Sequence, residues 1–111
     1  MSPATEELDA ALKALADGNR RRILELVRDL PRPVGEIADR VAMSQQAVSH
    51  HLSVLRGAGL VTEQRDGTRH LYVVRTDGFG VVQEYLGGFW PAHLADLKRV
   101  AERAARPRAH G

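Results

Sequence analysis

The chain has 111 residues, enough for one domain built around a single core. Hydrophobic residues make up 43% of it, which excludes disorder over most of its length, and the lack of cysteine excludes disulfides, thiolate metal sites and thiol chemistry. Net charge is only +2, yet the isoelectric point is near 9.5 and the cations cluster at Arg20 to Arg22, at Arg65 and Arg69, and from Lys98 to Arg108, a distribution suited to a polyanionic partner.

No apolar run approaches membrane-spanning length, and the first residues lack the basic and apolar regions of a signal peptide, so a soluble cytoplasmic protein with no membrane partner is expected. In chain order, a first helix is predicted from Glu6, with Leu8, Leu12 and Leu15 on one face, ending at Asp17-Gly18. Asn19 can cap a second helix from about Arg20 to Leu30, with Ile23, Leu26, Val27 and Leu30 facing inward and Pro31 and Pro33 stopping it. A third, short helix spans Val34 to Ala42 and buries Ile37, Ala38 and Val41. Met43-Ser44 then forms a tight turn, with Ser44 as N-cap of a fourth helix that Gly57 and Gly59 end. Two helices joined by such a turn, over residues 34–58, make a helix-turn-helix.

Strands are predicted at Leu60 to Arg65 and Arg69 to Val74, joined by a turn at Asp66-Gly67, so that residues 60–75 form a basic-tipped hairpin, a wing. Thr76, Asp77 and Gly78 lead into a helical region, 79–105, which Gly87-Gly88 interrupts. Pro91 suits the first turn of its last part, and Trp90, Leu94, Leu97 and Ala101 form one apolar stripe. The fold class is therefore mainly α with a small β-hairpin, a winged helix-turn-helix over 1–111, with no internal repeat and no domain boundary.

The stretch SQQAVSHHLSVLRGAGLV, from Ser44 to Val61, carries the functional signal. Val48, Leu52 and Leu55 recur at i, i+4 and i+7 as a buried stripe, while Gln45, Gln46, Ser49 and His50 fall on the opposite arc. A solvated helix face ordinarily carries Glu and Lys pairs, and this one carries no charge before Arg56. Uncharged side chains that donate and accept suit base edges in a DNA major groove: a glutamine amide pairs bidentately with adenine, and Ser49 or His50 reach a base or a phosphate. His51 lies three residues after Val48 and four before Leu55, on the inner flank, and is expected to pack rather than to read DNA. Arg65 and Arg69 suit phosphate or narrow minor-groove contacts, or else form a solvated hairpin tip. The Arg20 to Arg22 run at a helix start, where positive charge opposes the dipole, points to a phosphate or carboxylate partner, or to an ion pair with Glu25 or Asp17.

The segments LADGNRRRILELV and VGEIADRVAMSQQAVSHHLSVLRGAGLVTEQRDGTRHLYVV resemble the ArsR/SmtB family of bacterial winged-helix regulators, from about Leu8 to Val74. The chain has Gly18-Asn19 where the family usually has Pro-Thr, and FWPAHLADLKRV is similar to the terminal helix of a metal-independent branch. The resemblance implies a homodimer paired through its first and last helices, binding double-stranded DNA at a palindromic operator and usually repressing. Leu8, Leu12, Trp90, Leu94 and Leu97 are then the interface candidates, with Trp90 as the seam's anchor; Phe89-Trp90 lining a small-molecule pocket is the other reading. No cofactor is required. The family's thiolate site is absent, and of its terminal-helix site only His93, Asp96, Glu102 and His110 are offered, with the usual second histidine missing. His93 and Asp96, at i and i+3, would suit nickel or zinc; the plainer reading of His93 is a surface histidine at a helix start.

These features lead to a sequence-specific DNA-binding regulator, with a response to a metal or another effector left open. The rival is a winged-helix protein-interaction module, which leaves the carboxylate-free face unexplained. An enzyme is not expected, because Ser49 and His50 are adjacent on a helix and do not face each other, and no nucleophile elbow or phosphate loop is present.

Overall fold

A computed structural model describes residues 3–90 and 99–104. The elements run α1 (Pro3–Leu15), α2 (Gly18–Asp29), α3 (Val34–Val41), α4 (Gln45–Gly57), β1 (Val61–Asp66), β2 (Arg69–Val74) and α5 (Asp77–Gly87), and residues 99–104 are helical. The core joins Ile23, Leu24 and Val27 of α2 to Ile37, Ala38 and Val41 of α3 and to Val48, Leu52 and Leu55 of α4, with Leu60 and Val61 closing it. Each set recurs at spacings of three or four, so three helices turn one stripe each toward a common centre. The stripe predicted for α4 is the one buried. Among the described residues no helix is long and apolar enough to cross a membrane.

Helix ends account for most of the differences from expectation. α1 begins at Pro3, not Glu6. α2 begins at Gly18, capped by Asp17 rather than Asn19: Asp17 Oδ1 accepts the N–H groups of Asn19 at 2.8 Å and Arg20 at 3.1 Å. A carboxylate there satisfies two orphan amides and also meets the positive end of the helix. The Arg20 amide above all, then that of Asn19 and the nearby charges, holds the Asp17 carboxyl below its usual range. Leu30, expected inside, is instead the extended C-cap of α2 and 55% exposed. Pro31 is the reason, since it disfavours helical geometry at the residue before it. α3 ends one residue early because Ala42 adopts the left-handed conformation, φ 56°, and both Ala42 and Met43 donate to the Ala38 carbonyl.

β1 and β2 pair antiparallel from Val61↔Val74 to Asp66↔Arg69. The central turn residues are thus Gly67 and Thr68, one later than predicted, with Gly67 at φ 65° where a tight two-residue hairpin favours glycine. Leu60 is buried but lies before the strand, its N–H on the Leu55 carbonyl and its carbonyl taking the Arg75 N–H. A third strand contact was not predicted. Arg32 bridges Tyr72, donating at 3.3 Å and accepting at 2.8 Å, which ties the base of the wing to the α2–α3 connector.

α5 packs along α1 and starts at Asp77 rather than Phe79. Its second residue, Gly78, is buried against the turn after α4, where its N–H donates to the Gly59 carbonyl at 2.9 Å. A Cβ on Gly78 would overlap the Ala58 carbonyl oxygen and fall 2.8 Å from Leu60 Cδ2, so glycine is required for this approach. Trp90 follows α5 with its backbone N–H on the Gly87 carbonyl, and the stripe expected to run from it passes through residues outside those described. His93, Leu94, Asp96, Leu97 and His110 lie outside the described residues.

Candidate nucleic-acid interface

α4 is set by its cap and its core stripe. Ser44 Oγ accepts the Ala47 N–H at 3.1 Å, as an N-cap should, which leaves its hydroxyl hydrogen and one lone pair for a partner. No acidic residue stands in the first turn of α4. Gln45, Gln46, Ser49 and His50 are all exposed. They are not equivalent. The Gln45 amide lies back over the first turn of α3, where a Cβ on Gly35 would meet Gln45 Nε2 at 3.4 Å. His50 stands at the edge toward α1, bordering a cavity of about 360 Å³ that Lys13, Arg20, Val54 and Gly57 also line. The centre of the exposed face belongs to Gln46 and Ser49.

Ser53 joins them and was missed. It is exposed, four residues after Ser49 and seven after Gln46, and therefore on the same face, which Arg56 extends in the last turn. Its signal was the same periodicity, followed one turn further. His51 is half-buried, with Nδ1 3.5 Å from Arg20 Nη1, as its place on the inner flank predicts.

The arginine run at the start of α2 is committed to the fold. Arg20 Nε donates to the Ala14 carbonyl at 2.8 Å and Nη2 to that of Lys13 at 3.1 Å, while Nη1 lies 3.7 Å from Asp17 Oδ2. Arg21 donates to the Leu15 carbonyl at 2.7 Å, and Arg22 to that of Arg40 at 3.1 Å. These cations satisfy the orphan carbonyls at the ends of α1 and α3, where positive charge is favourable. Of the two sequence readings, the ion pair with Asp17 is found for Arg20; the carbonyl capping was not foreseen.

In the wing, cross-strand register decides orientation. Arg65 opposes His70 and Asp66 opposes Arg69, so Arg65 and Arg69 stand on opposite faces of the hairpin, both exposed. Among the described residues neither makes an ion pair. Arg65 shares its face with Glu63, whose carboxylate holds the His70 ring at 2.5 Å and faces Tyr72. The His70 hydrogen bond first, then Tyr72, holds the Glu63 carboxyl below its usual range, while partial burial and then Glu63 push the Tyr72 phenol up.

Of the interface candidates, Leu8 is half-buried beside Val81 and Tyr85 of α5, Leu12 is 40% exposed and Trp90 53% exposed. Tyr85 and Leu86, which the sequence reading did not single out, and Phe89, which it named only with Trp90 for a small-molecule pocket, are exposed as well, with the Tyr85 and Phe89 rings edge to face at 5.2 Å. Among the described residues no three His, Cys, Asp or Glu side chains come together to hold a metal ion.

A helix-turn-helix domain model matches residues 15–64. The HTH-type transcriptional regulator Rv2034 of Mycobacterium tuberculosis is 43% identical over 94 residues, covering 85% of this chain and 88% of that one. The solved ArsR-like transcriptional regulator from Rhodococcus sp. RHA1 superposes with a TM-score of 0.71 at 27% identity, over 90% of this chain and 97% of that one. A homodimeric winged helix-turn-helix DNA-binding domain from Mycobacterium bovis, a possible ArsR-family regulator, gives a TM-score of 0.62 at 29% identity, over 92% and 84%. With the turn, the exposed uncharged face of α4 and the wing in place, this chain belongs to the ArsR/SmtB family of winged helix-turn-helix transcriptional regulators.

Proposed function

We propose that the chain works as a homodimer in the bacterial cytoplasm, laying two copies of α4 into successive major grooves of a palindromic operator and repressing by occupying a promoter. The observation that carries this is the exposed, carboxylate-free face of Gln46, Ser49 and Ser53, with free cations on the adjoining wing. Uncharged donor–acceptor side chains read base edges, and Arg65 or Arg69 hold the backbone. Pairing through α1 and α5 would cover Leu12, Tyr85, Leu86 and Phe89, which are 40% to 60% exposed in the single chain. Two readers then sit about 34 Å apart, one DNA turn.

Gel-shift titration on a duplex selected from random sequence, with a scrambled duplex beside it, tests the reading. Gln46→Ala with Ser49→Ala is expected to abolish the preference while light scattering still reports a dimer; unchanged discrimination would remove α4 as the reader. A response to nickel or zinc would run through His93 and Asp96, two donors against the four of a closed tetrahedral site. Calorimetry with either ion is expected to give the same result on wild type and His93→Ala, and heat lost in the variant would place His93 in a site.

A further inference from the structure

A cavity of about 260 Å³ opens where the end of the wing meets α2 and the base of α5. Its floor is apolar: Leu15 from α1, Leu24 from α2, Val74 from β2 and Phe79 from α5. Leu24 is buried in the main core, and the other three are only half-buried, leaving hydrocarbon facing the space. Along one rim Arg21, Glu25 and Arg28 follow at i, i+4 and i+7, one face of α2.

The rim's charges are lightly used. Arg21 donates one N–H to the Leu15 carbonyl, Arg28 pairs only with its exposed neighbour Asp29, and Glu25 has no partner among the described residues. Asp29 engages only Nε of Arg28, so among the described residues the two terminal nitrogens of that guanidinium are left to hold an anion at the rim. An apolar chamber with a few charged groups at its mouth is the form of a small-molecule site, and this one is below the roughly 300–1,000 Å³ usual for drug-sized ligands.

We propose that this cavity binds a small aromatic monocarboxylate, its ring against Leu24, Val74 and Phe79 and its carboxylate on Arg28, with Arg21 as the second cation. Such a ligand would touch the element that ends the wing and two that carry the proposed dimer surface. Occupancy therefore shifts operator affinity to the extent that the ligand prefers one arrangement of those elements. That regulatory half rests on the DNA-binding reading; the ligand site does not.

Calorimetry on the full chain without DNA separates the two, using 1-naphthoate as the probe and neutral 1-naphthamide as its control. One naphthoate per chain is expected, bound about tenfold tighter than the amide, the worth of one charge-assisted hydrogen bond. Arg28→Ala, at a side chain 66% exposed and so no threat to folding, should erase that tenfold difference. Val74→Phe should fill the chamber and remove binding of both probes. Equal affinity for acid and amide, no naphthoate heat at millimolar concentration, or binding that survives Val74→Phe overturns the site. So does a change of oligomeric state in Val74→Phe, which would make the floor a seam between copies. In a second arm, a tenfold change in operator affinity with saturating naphthoate supports regulation; an unchanged affinity beside an intact binding heat overturns that half alone.

Discussion

Arg32→Met tests what one buried guanidinium contributes to holding α2, α3 and the base of the wing together. Arg32 is 7% exposed. Its Nε donates to the Leu26 carbonyl at 3.1 Å, and Nη1 donates to Glu36 Oε1, which Arg40 also approaches at 3.6 Å. Methionine preserves most of the stem's packing and the backbone bridge to Tyr72 but deletes the guanidinium. The Leu26 carbonyl keeps the Leu30 N–H, and Glu36, whose side chain is 37% exposed, turns to water and Arg40. Two hydrogen bonds involving charge would be worth about 3–6 kcal/mol if nothing replaced them. Recovered desolvation of the buried cation offsets part of this, leaving a net loss of about 2 kcal/mol. For a domain near this size that lowers the melting temperature by roughly 8–12 °C. Circular-dichroism melts at one fixed protein concentration measure it, since dimerisation would make the midpoint concentration-dependent. Arg32→Lys should fall between, keeping a charge for Glu36 and losing the Leu26 contact. A drop under about 2 °C for Arg32→Met, or a rise, would show that the burial cost of this cation already cancels its bonds.

Other substitutions probe the remaining joints. Because Arg65 and Arg69 stand on opposite faces of the hairpin, alanine at one of them, not both, should reduce the slope of log affinity against log salt by about 1; equal losses would mean that the tip enters a groove with both faces in contact. Gly78→Val should destabilise by about 1–3 kcal/mol through overpacking, whereas Gly80→Ala, with nothing within 4 Å, should stabilise by up to about 1 kcal/mol on helix propensity; chemical denaturation of both variants reads the contrast. Asp17 has a lowered carboxyl pKa in the fold, so its contribution is complete above the unfolded value, 3.8, and disappears as pH falls through the lower folded value. Melts of Asp17→Asn between pH 7 and pH 2 should therefore fall less steeply below about pH 4 than wild type; parallel curves would show that the charge contributes nothing beyond the cap.

What could be read beforehand was whatever one helix or one turn settles within itself. The Val48, Leu52 and Leu55 stripe and the Ser44 cap are local facts, and both are in place. Leu30 was equally local and was misassigned, because its apolar character was given more weight than the proline behind it. The arginine run was illegible for another reason. Arg22 ends on the Arg40 carbonyl, 18 residues away, and Arg20 reaches back across the α1–α2 turn, so their roles depend on how helix ends meet. Arg32 and Tyr72 pair across 40 positions, between two prolines that argued against any strand there. The wing's pairing was readable and strand alternation alone puts Arg65 on the face of Glu63, but the cross-strand partner of Glu63 followed only from the register: moving the turn by one residue replaces Tyr72 with His70 opposite it.

α4 meets the surface proposed for pairing in two places, where α1 packs beside it and at the turn that joins its end to the start of α5. α4 ends at Gly57, and the chain turns at Gly59, φ 73°, whose carbonyl accepts the Gly78 N–H at the first turn of α5. One residue later the Leu60 carbonyl takes the N–H of Arg75, just before α5. The same helix then carries Tyr85 and Leu86 to the exposed face that a second copy would cover. In the proposed dimer, the distance between two α4 helices would depend on the angle at which α5 leaves this junction, and the side chains placed to change that angle are those packed at its base. Phe79 is one of them, half-buried on the cavity floor. A molecule lodged against Phe79 acts at the start of the lever, where a small displacement becomes a larger one at the far end of α5.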